Sequence, residues 1–141
     1  MLCSKILVAH DGSMLGQKSL EKAIEFAKLD QSIKIEVIYV VTISHQSHAV
    51  LDNIPNIEEV LYQEGRDVIE EAELSLQNIP NFSKTYLLNG SPASLILNHA
   101  QEYKCDLIIM GSRGLSGIKE FLGSVSHKVV QCSSVPVFIV K

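Results

Sequence analysis

Short, almost continuously apolar runs alternate along the chain with longer segments whose apolar residues recur at helical spacing, and few folds accommodate that alternation. Lys5-Ile6-Leu7-Val8-Ala9-His10 shows no polar alternation, as expected of a strand covered on both faces. Asp11-Gly12-Ser13 breaks the run. Leu20, Ala23, Ile24 and Ala27 then mark one face of a helix, which Ser13 suits as N-cap. Residues 33–41 are rich in β-branched side chains and predict a second strand. The polar residues 42–55 read as a loop. Asn56 with Glu59 resembles a capping box, opening a helix through Val60, Leu61, Val68, Ile69, Ala72, Leu76 and Ile79 that Pro80 ends. Tyr86-Leu87-Leu88 predicts a short third strand. Ser91-Pro92 predicts an N-cap followed by proline at the first helical position, with Ala93, Ile96, Leu97 and Ala100 lining the helix face. Residues 106–110 predict a fourth strand, and a glycine-rich segment from Gly111 to Gly123 leads into a helix from Ser124 to about Gln131. Residues 135–140 predict a fifth strand.

Strand and helix in strict alternation mean an α/β fold: a doubly wound, five-stranded parallel sheet with helices on both faces and right-handed crossovers. Pro136 cannot donate to a ladder, so it places the last strand at an edge. A length of 141 residues suits one domain spanning 1–141, large enough to fold without disulfide or metal. Hydrophobic residues at 46% and charged residues at 20% exclude a disordered chain. The net charge of −4 argues against nucleic acid as a partner. Apolar runs such as Leu107 to Met110 are far too short for a membrane span, and Met1 to Lys5 lead straight into a strand without the pattern of a signal peptide. Three cysteines without C-x-x-C spacing point to a reducing cytoplasm, with Cys105 and Cys132 expected to pack as small buried hydrophobes.

In an open parallel sheet, ligands bind beyond the carboxyl ends of the strands, where the strand order reverses. Two segments qualify: His10-Asp11-Gly12-Ser13 after the first strand, and Gly111-Ser112-Arg113-Gly114-Leu115-Ser116-Gly117 after the fourth. Glycines let backbone approach a ligand, and Gly123-Ser124 opens a helix whose N–H groups suit phosphate. Neither a Walker loop nor G-x-G-x-x-G is present, and the glycines could equally serve turns in a plain connection. Asp11 fits a ligand contact, a catalytic acid or metal ligand, or an Asx-type turn. His10 reads as a packed or hydrogen-bonded residue. His45 and His48, with Asp52 nearby, lack a rigid element to make a metal site, so no metal is expected. Ser13 and Ser116 lack the G-x-S-x-G elbow of a hydrolase, and no catalytic residue is assigned.

These motifs together resemble the universal stress protein family, within the adenine-nucleotide α-hydrolase-like superfamily. The likeness runs through residues 6–13, through Gly90-Ser91-Pro92-Ala93-Ser94-Leu95-Ile96, and most specifically through residues 106–117, Gly123-Ser124-Val125-Ser126 and Val135-Pro136-Val137. It implies strand order 3-2-1-4-5 and a regulatory protein that binds ATP, alone or with Mg2+, and hydrolyses it slowly at most. The ATP-binding branch carries G-x2-G-x9-G-[S/T]. On that pattern Gly111 and Gly114 meet ribose and phosphates, and Gly123, Ser124 and the Val125 backbone hold phosphates. Asp11, the backbone at Ala9, and Val40 face adenine and ribose. Here eight residues, not nine, separate Gly114 from Gly123. That departure keeps open an interaction module of the same family without nucleotide. A pyrophosphatase of the superfamily would need S-G-G-x-D-S after the first strand, where His10-Asp11-Gly12-Ser13 stands instead. The resemblance further implies a homodimer through the C-terminal strand.

Overall fold

A computed structural model describes residues 3–43, 56–114 and 122–141. The elements run β1 (Lys5–Ala9), α1 (Met14–Ala27), β2 (Lys34–Val41), α2 (Ile57–Leu76), β3 (Ser83–Asn89), α3 (Pro92–Glu102), β4 (Leu107–Gly111), α4 (Ser124–Cys132) and β5 (Val137–Val140). The strands form one parallel sheet in the order β3-β2-β1-β4-β5, as expected. Winding proceeds outward from β1 to β3, then restarts at β4, so the order reverses between β1 and β4.

β1 is the centre. Ile6, Leu7 and Val8 have no exposed surface, because helices cover both faces. Each such side chain contributes about 1.5–3 kcal/mol by burial. The two-residue period divides them: Ile6 and Val8 join Leu20, Ala23 and Ala27 of α1 and Ala72 and Leu76 of α2. Leu7 joins Ala93, Ile96 and Ala100 of α3 and Val129 of α4 on the other face.

Several local expectations shift. Asn56 occupies the N-cap of α2 but in left-handed conformation, φ 65°, and makes no side-chain cap bond, so the capping box does not form. A side-chain cap needs extended backbone to aim its oxygen at the first-turn amides. That helix ends at Leu76, leaving Ile79 buried beyond it. β3 is seven residues rather than three, paired with β2 from Ile35↔Ser83 to Val41↔Asn89. Its added residues are polar because the strand lies at the sheet edge. Pro136 precedes β5 rather than lying within it, and its carbonyl accepts from Ile108 N at 3.0 Å; the edge placement of β5 stands. Ser91 occupies the N-cap of α3 with Pro92 behind it, without a side-chain cap bond. Cys105 is buried as expected, whereas Cys132 is exposed, because it ends α4 after the helix has used Ser126 and Val129 as its buried positions.

Candidate functional site

The carboxyl ends of β1 and β4 open onto a pocket of about 300 Å³. β1 stops at Ala9, and the following residues wire themselves locally. His10 Nδ1 accepts from Gly12 N at 3.0 Å, Asp11 Oδ1 accepts from Ser13 N at 2.9 Å, and Ser13 Oγ accepts from Gly16 N at 3.1 Å. The first bond requires a neutral His10 ring lone pair at Nδ1. Burial agrees, lowering the His10 pKa, against hydrogen bonding from Gln17 and the charges of Asp11 and Glu71. Asp11 therefore makes the Asx-type turn that its position allowed, and Ser13 is the N-cap of α1.

The second Asp11 oxygen faces the other segment. A Cβ on Gly114 would lie 2.6 Å from Asp11 Oδ2, so only glycine fits there without moving the carboxylate. Gly111 is glycine for a different reason: its Cβ would meet Leu15 Cβ of α1 at 2.7 Å. One motif glycine thus keeps the site open, and the other allows a helix to pack.

The start of α4 is clasped to the end of β4. Gly123 N donates to Ser112 O at 2.7 Å, Ser126 Oγ donates to the same carbonyl at 2.8 Å, and Ser112 N donates to Val140 O at 2.8 Å. Gly123 is the N-cap, and it has no side chain to cap with. The amides of Ser124, Val125 and Ser126 have no partner within the helix, and the helix dipole makes their end positive.

All eight residues named from the sequence line this one pocket: Ala9, Asp11, Val40, Gly111, Gly114, Gly123, Ser124 and Val125. Sequence reasoning missed Ile38, Thr42, Pro92, Ile96, Met110 and Arg113 in the same lining. Signals existed for most. Ile38 and Val40 share one face of β2 and Thr42 follows two residues on, just past the strand, and Pro92 and Ile96 are four apart on one helix face. The wall formed by Ile38, Val40, Ile96 and Met110 is apolar. The opposite end is polar, and Asp11 and Arg113 are its formal charges among the described lining residues. His45, His48 and Asp52 lie outside the described residues, as do residues 115–121 of the glycine segment.

Residues 3–141 match the family model described as Universal stress protein family. The chain is 40% identical to universal stress protein YxiE of Bacillus subtilis, over 98% of this chain and 99% of that protein. The solved structure of MJ0577 from Methanocaldococcus jannaschii superposes with a TM-score of 0.87 at 27% identity, covering 100% of this chain and 97% of that one. More distant structures share the fold. One is a universal stress protein in complex with cAMP (TM-score 0.75, 22% identity, 100% and 99% coverage). Another is an Arabidopsis thaliana family member with AMP bound (TM-score 0.73, 19% identity, 98% and 91% coverage).

Proposed function

The chain belongs to the universal stress protein family, and we propose that its pocket binds an adenine nucleotide, ATP in particular, as the sensing step of a cytoplasmic regulatory protein formed of one domain. The carrying observation is the division of the pocket between an apolar wall and a polar end where Asp11, Gly114 and the start of α4 converge. A purine fits the wall of Ile38, Val40, Ile96 and Met110. Asp11 accepts from ribose hydroxyls. The amides of Ser124 and Val125, the Ser124 hydroxyl and Arg113 meet phosphate. Family members solved with cAMP and AMP support an adenine ligand. Mg2+, where it binds, is held chiefly by phosphate oxygens, because Asp11 is the one carboxylate among the described lining residues.

Binding rather than turnover is the proposed role. His10 has Nδ1 committed to Gly12, and Asp11 has one oxygen committed to Ser13 and offers the other to ribose, so both serve positioning rather than proton transfer. Hydrolysis of bound ATP is slow and incidental.

Mass spectrometry of small molecules released from freshly purified, denatured protein should find an adenine nucleotide. Calorimetry should give micromolar affinity, weakened by about 1–3 kcal/mol in Asp11→Ala through loss of a charged hydrogen bond. No heat at millimolar ATP, with or without Mg2+, overturns this reading.

The eight-residue spacing between Gly114 and Gly123 favours a second reading, an interaction module without nucleotide. Inserting one Leu after Leu122 separates the two. ATP affinity that hardly changes supports a working site, and a rise of about tenfold or more, about 1.4 kcal/mol, marks a damaged one.

We also propose a two-fold homodimer at β5, an edge strand whose apolar residues Val137, Phe138 and Ile139 are half-buried to exposed. Val137→Lys with Ile139→Lys should yield monomer or insoluble chain. Light scattering that finds the wild type monomeric at about tens of micromolar, where such contacts associate, removes the dimer.

A further inference from the structure

The amino half of the sheet holds a buried polar cluster outside the pocket lining. Glu36 of β2, His99 of α3 and Cys105 in the turn before β4 are only 4%, 4% and 3% exposed. His99 Nε2 lies 2.7 Å from Glu36 Oε2, and Cys105 Sγ donates to the same oxygen at 3.6 Å. The potential ligand atoms of the three residues all lie within 4.8 Å of one another. The imidazole is held in place: Tyr103 stacks on it at 4.4 Å and Tyr86 meets it edge-on at 4.4 Å. Lys5 Nζ stands 3.6 Å from the other Glu36 oxygen and donates to Tyr103 O at 2.8 Å.

We propose that Glu36, His99 and Cys105 form a binding site for one zinc-like divalent cation, with water as fourth ligand. The site is independent of the nucleotide reading. Three residues on three different elements supply one sulfur, one nitrogen and one carboxylate oxygen, the mixed set that Zn2+ accepts and that Mg2+ and Ca2+ do not select. Tetrahedral zinc with bonds of about 2.0–2.3 Å sets its ligands roughly 3.3–3.8 Å apart. The Glu36–Cys105 separation of 3.6 Å already meets that spacing. Glu36 and His99 need to part by about half an ångström as their hydrogen bond gives way to metal coordination. Without metal the cluster is joined by protons. Cys105 donates to the Glu36 carboxylate as S–H at 3.6 Å. On binding, the cation takes the thiolate, and the thiol proton leaves to solvent. As its hydrogen bond to Glu36 breaks, His99 gives up the Nε2 proton and takes one from solvent at Nδ1, so that the Nε2 lone pair faces the cation with no net change in the ring's protons. One proton is released for each cation bound. The side chain of Lys5 is one-quarter exposed, so it can swing outward as the positive charge arrives.

Co2+ is the probe, added to the full metal-free chain, with Zn2+ as competitor. The expected result is one equivalent bound, tetrahedral visible bands with a thiolate-to-cobalt charge-transfer band, release of one proton, and displacement by Zn2+ but not by Mg2+. A chain with Cys3→Ser and Cys132→Ser keeps Cys105 as its only thiol and should retain the charge-transfer band. Its loss in that folded chain, or its absence from the wild type at saturating Co2+, overturns the site. Cys105→Ser should lose the band and weaken Co2+ by at least about tenfold, as should His99→Gln for affinity. A Cys105→Ser chain that folds by circular dichroism and keeps the band also overturns it.

Discussion

The two ends of the sheet use polar residues in opposite ways. At the amino end, side chains from distant segments satisfy one another. Asp106 accepts from Ser4 N at 2.8 Å, Ser4 Oγ at 2.6 Å and Lys5 N at 3.1 Å, and Glu36 gathers His99, Cys105 and Lys5. At the carboxyl end of β1, side-chain bonds are short-range, from residue to near neighbour, and they fix His10, Asp11 and Ser13 while leaving Asp11 Oδ2 toward Gly114 and the first residues of α4 in the pocket lining. The lesson concerns where bonding capacity is used. Polar groups satisfied by long-range partners hold the fold together and take a ligand only by exchanging those partners for it, whereas those satisfied only locally retain free capacity for one.

The largest test removes one carboxylate from each end. Glu36→Ala leaves buried donors at His99 and Cys105 without their acceptor and should cost about 3–5 kcal/mol in urea unfolding of the metal-free chain. Asp11→Ala gives up one exposed turn bond and should cost no more than about 1 kcal/mol. Equal losses would break the contrast.

A smaller effect is expected from Gly114→Ala. The new Cβ displaces the Asp11 carboxylate, 2.6 Å away. Nucleotide affinity should fall by about tenfold, about 1.4 kcal/mol, with stability within about 0.5 kcal/mol of wild type. A stability loss matching the affinity loss would show that the glycine serves packing, as Gly111 does.

Dependence on pH sharpens the contrast with the smallest energies. Burial works against the Asp106 charge, but hydrogen bonds from Ser4 and Lys5 outweigh it and hold the carboxyl below its ordinary 3.8. A depressed folded value means stability that is present above 3.8 and lost as pH falls through the folded value. Asp106 is half-buried and its bonds from Ser4 lie at the surface, so Asp106→Asn should remove only about 1 kcal/mol of that acid-sensitive stability. His10 gives a second slope at higher pH. Its pKa is lowered from 6.5 by burial, so stability declines as pH falls below 6.5 toward the folded value. His10→Asn keeps an acceptor for Gly12 N and should flatten that slope alone. Stability curves measured from neutral to acid pH separate the two, and an unchanged curve in either variant removes the corresponding group from the account.

Periodicity and turn chemistry determined the α/β alternation, the N-cap at Ser13 and the two strand ends that meet at the pocket; the edge position of β5 holds, although Pro136, the sequence signal for it, precedes the strand. These rest on local rules: which face of an element is apolar, and which residues break a strand. Strand order came with the family resemblance, and the sheet has it. Only the tertiary structure decided the rest. The polar half of β3 becomes strand because β2 supplies its partners. Gly111 is glycine because α1 passes beside it, a fact invisible in the spacing of a loop motif. Glu36, His99 and Cys105 are 63 and 69 residues apart in sequence, counting from Glu36, and carry no shared pattern. Hydrophobic period encodes which way a side chain points relative to its own element, whereas the meeting of three such side chains depends on how the elements pack.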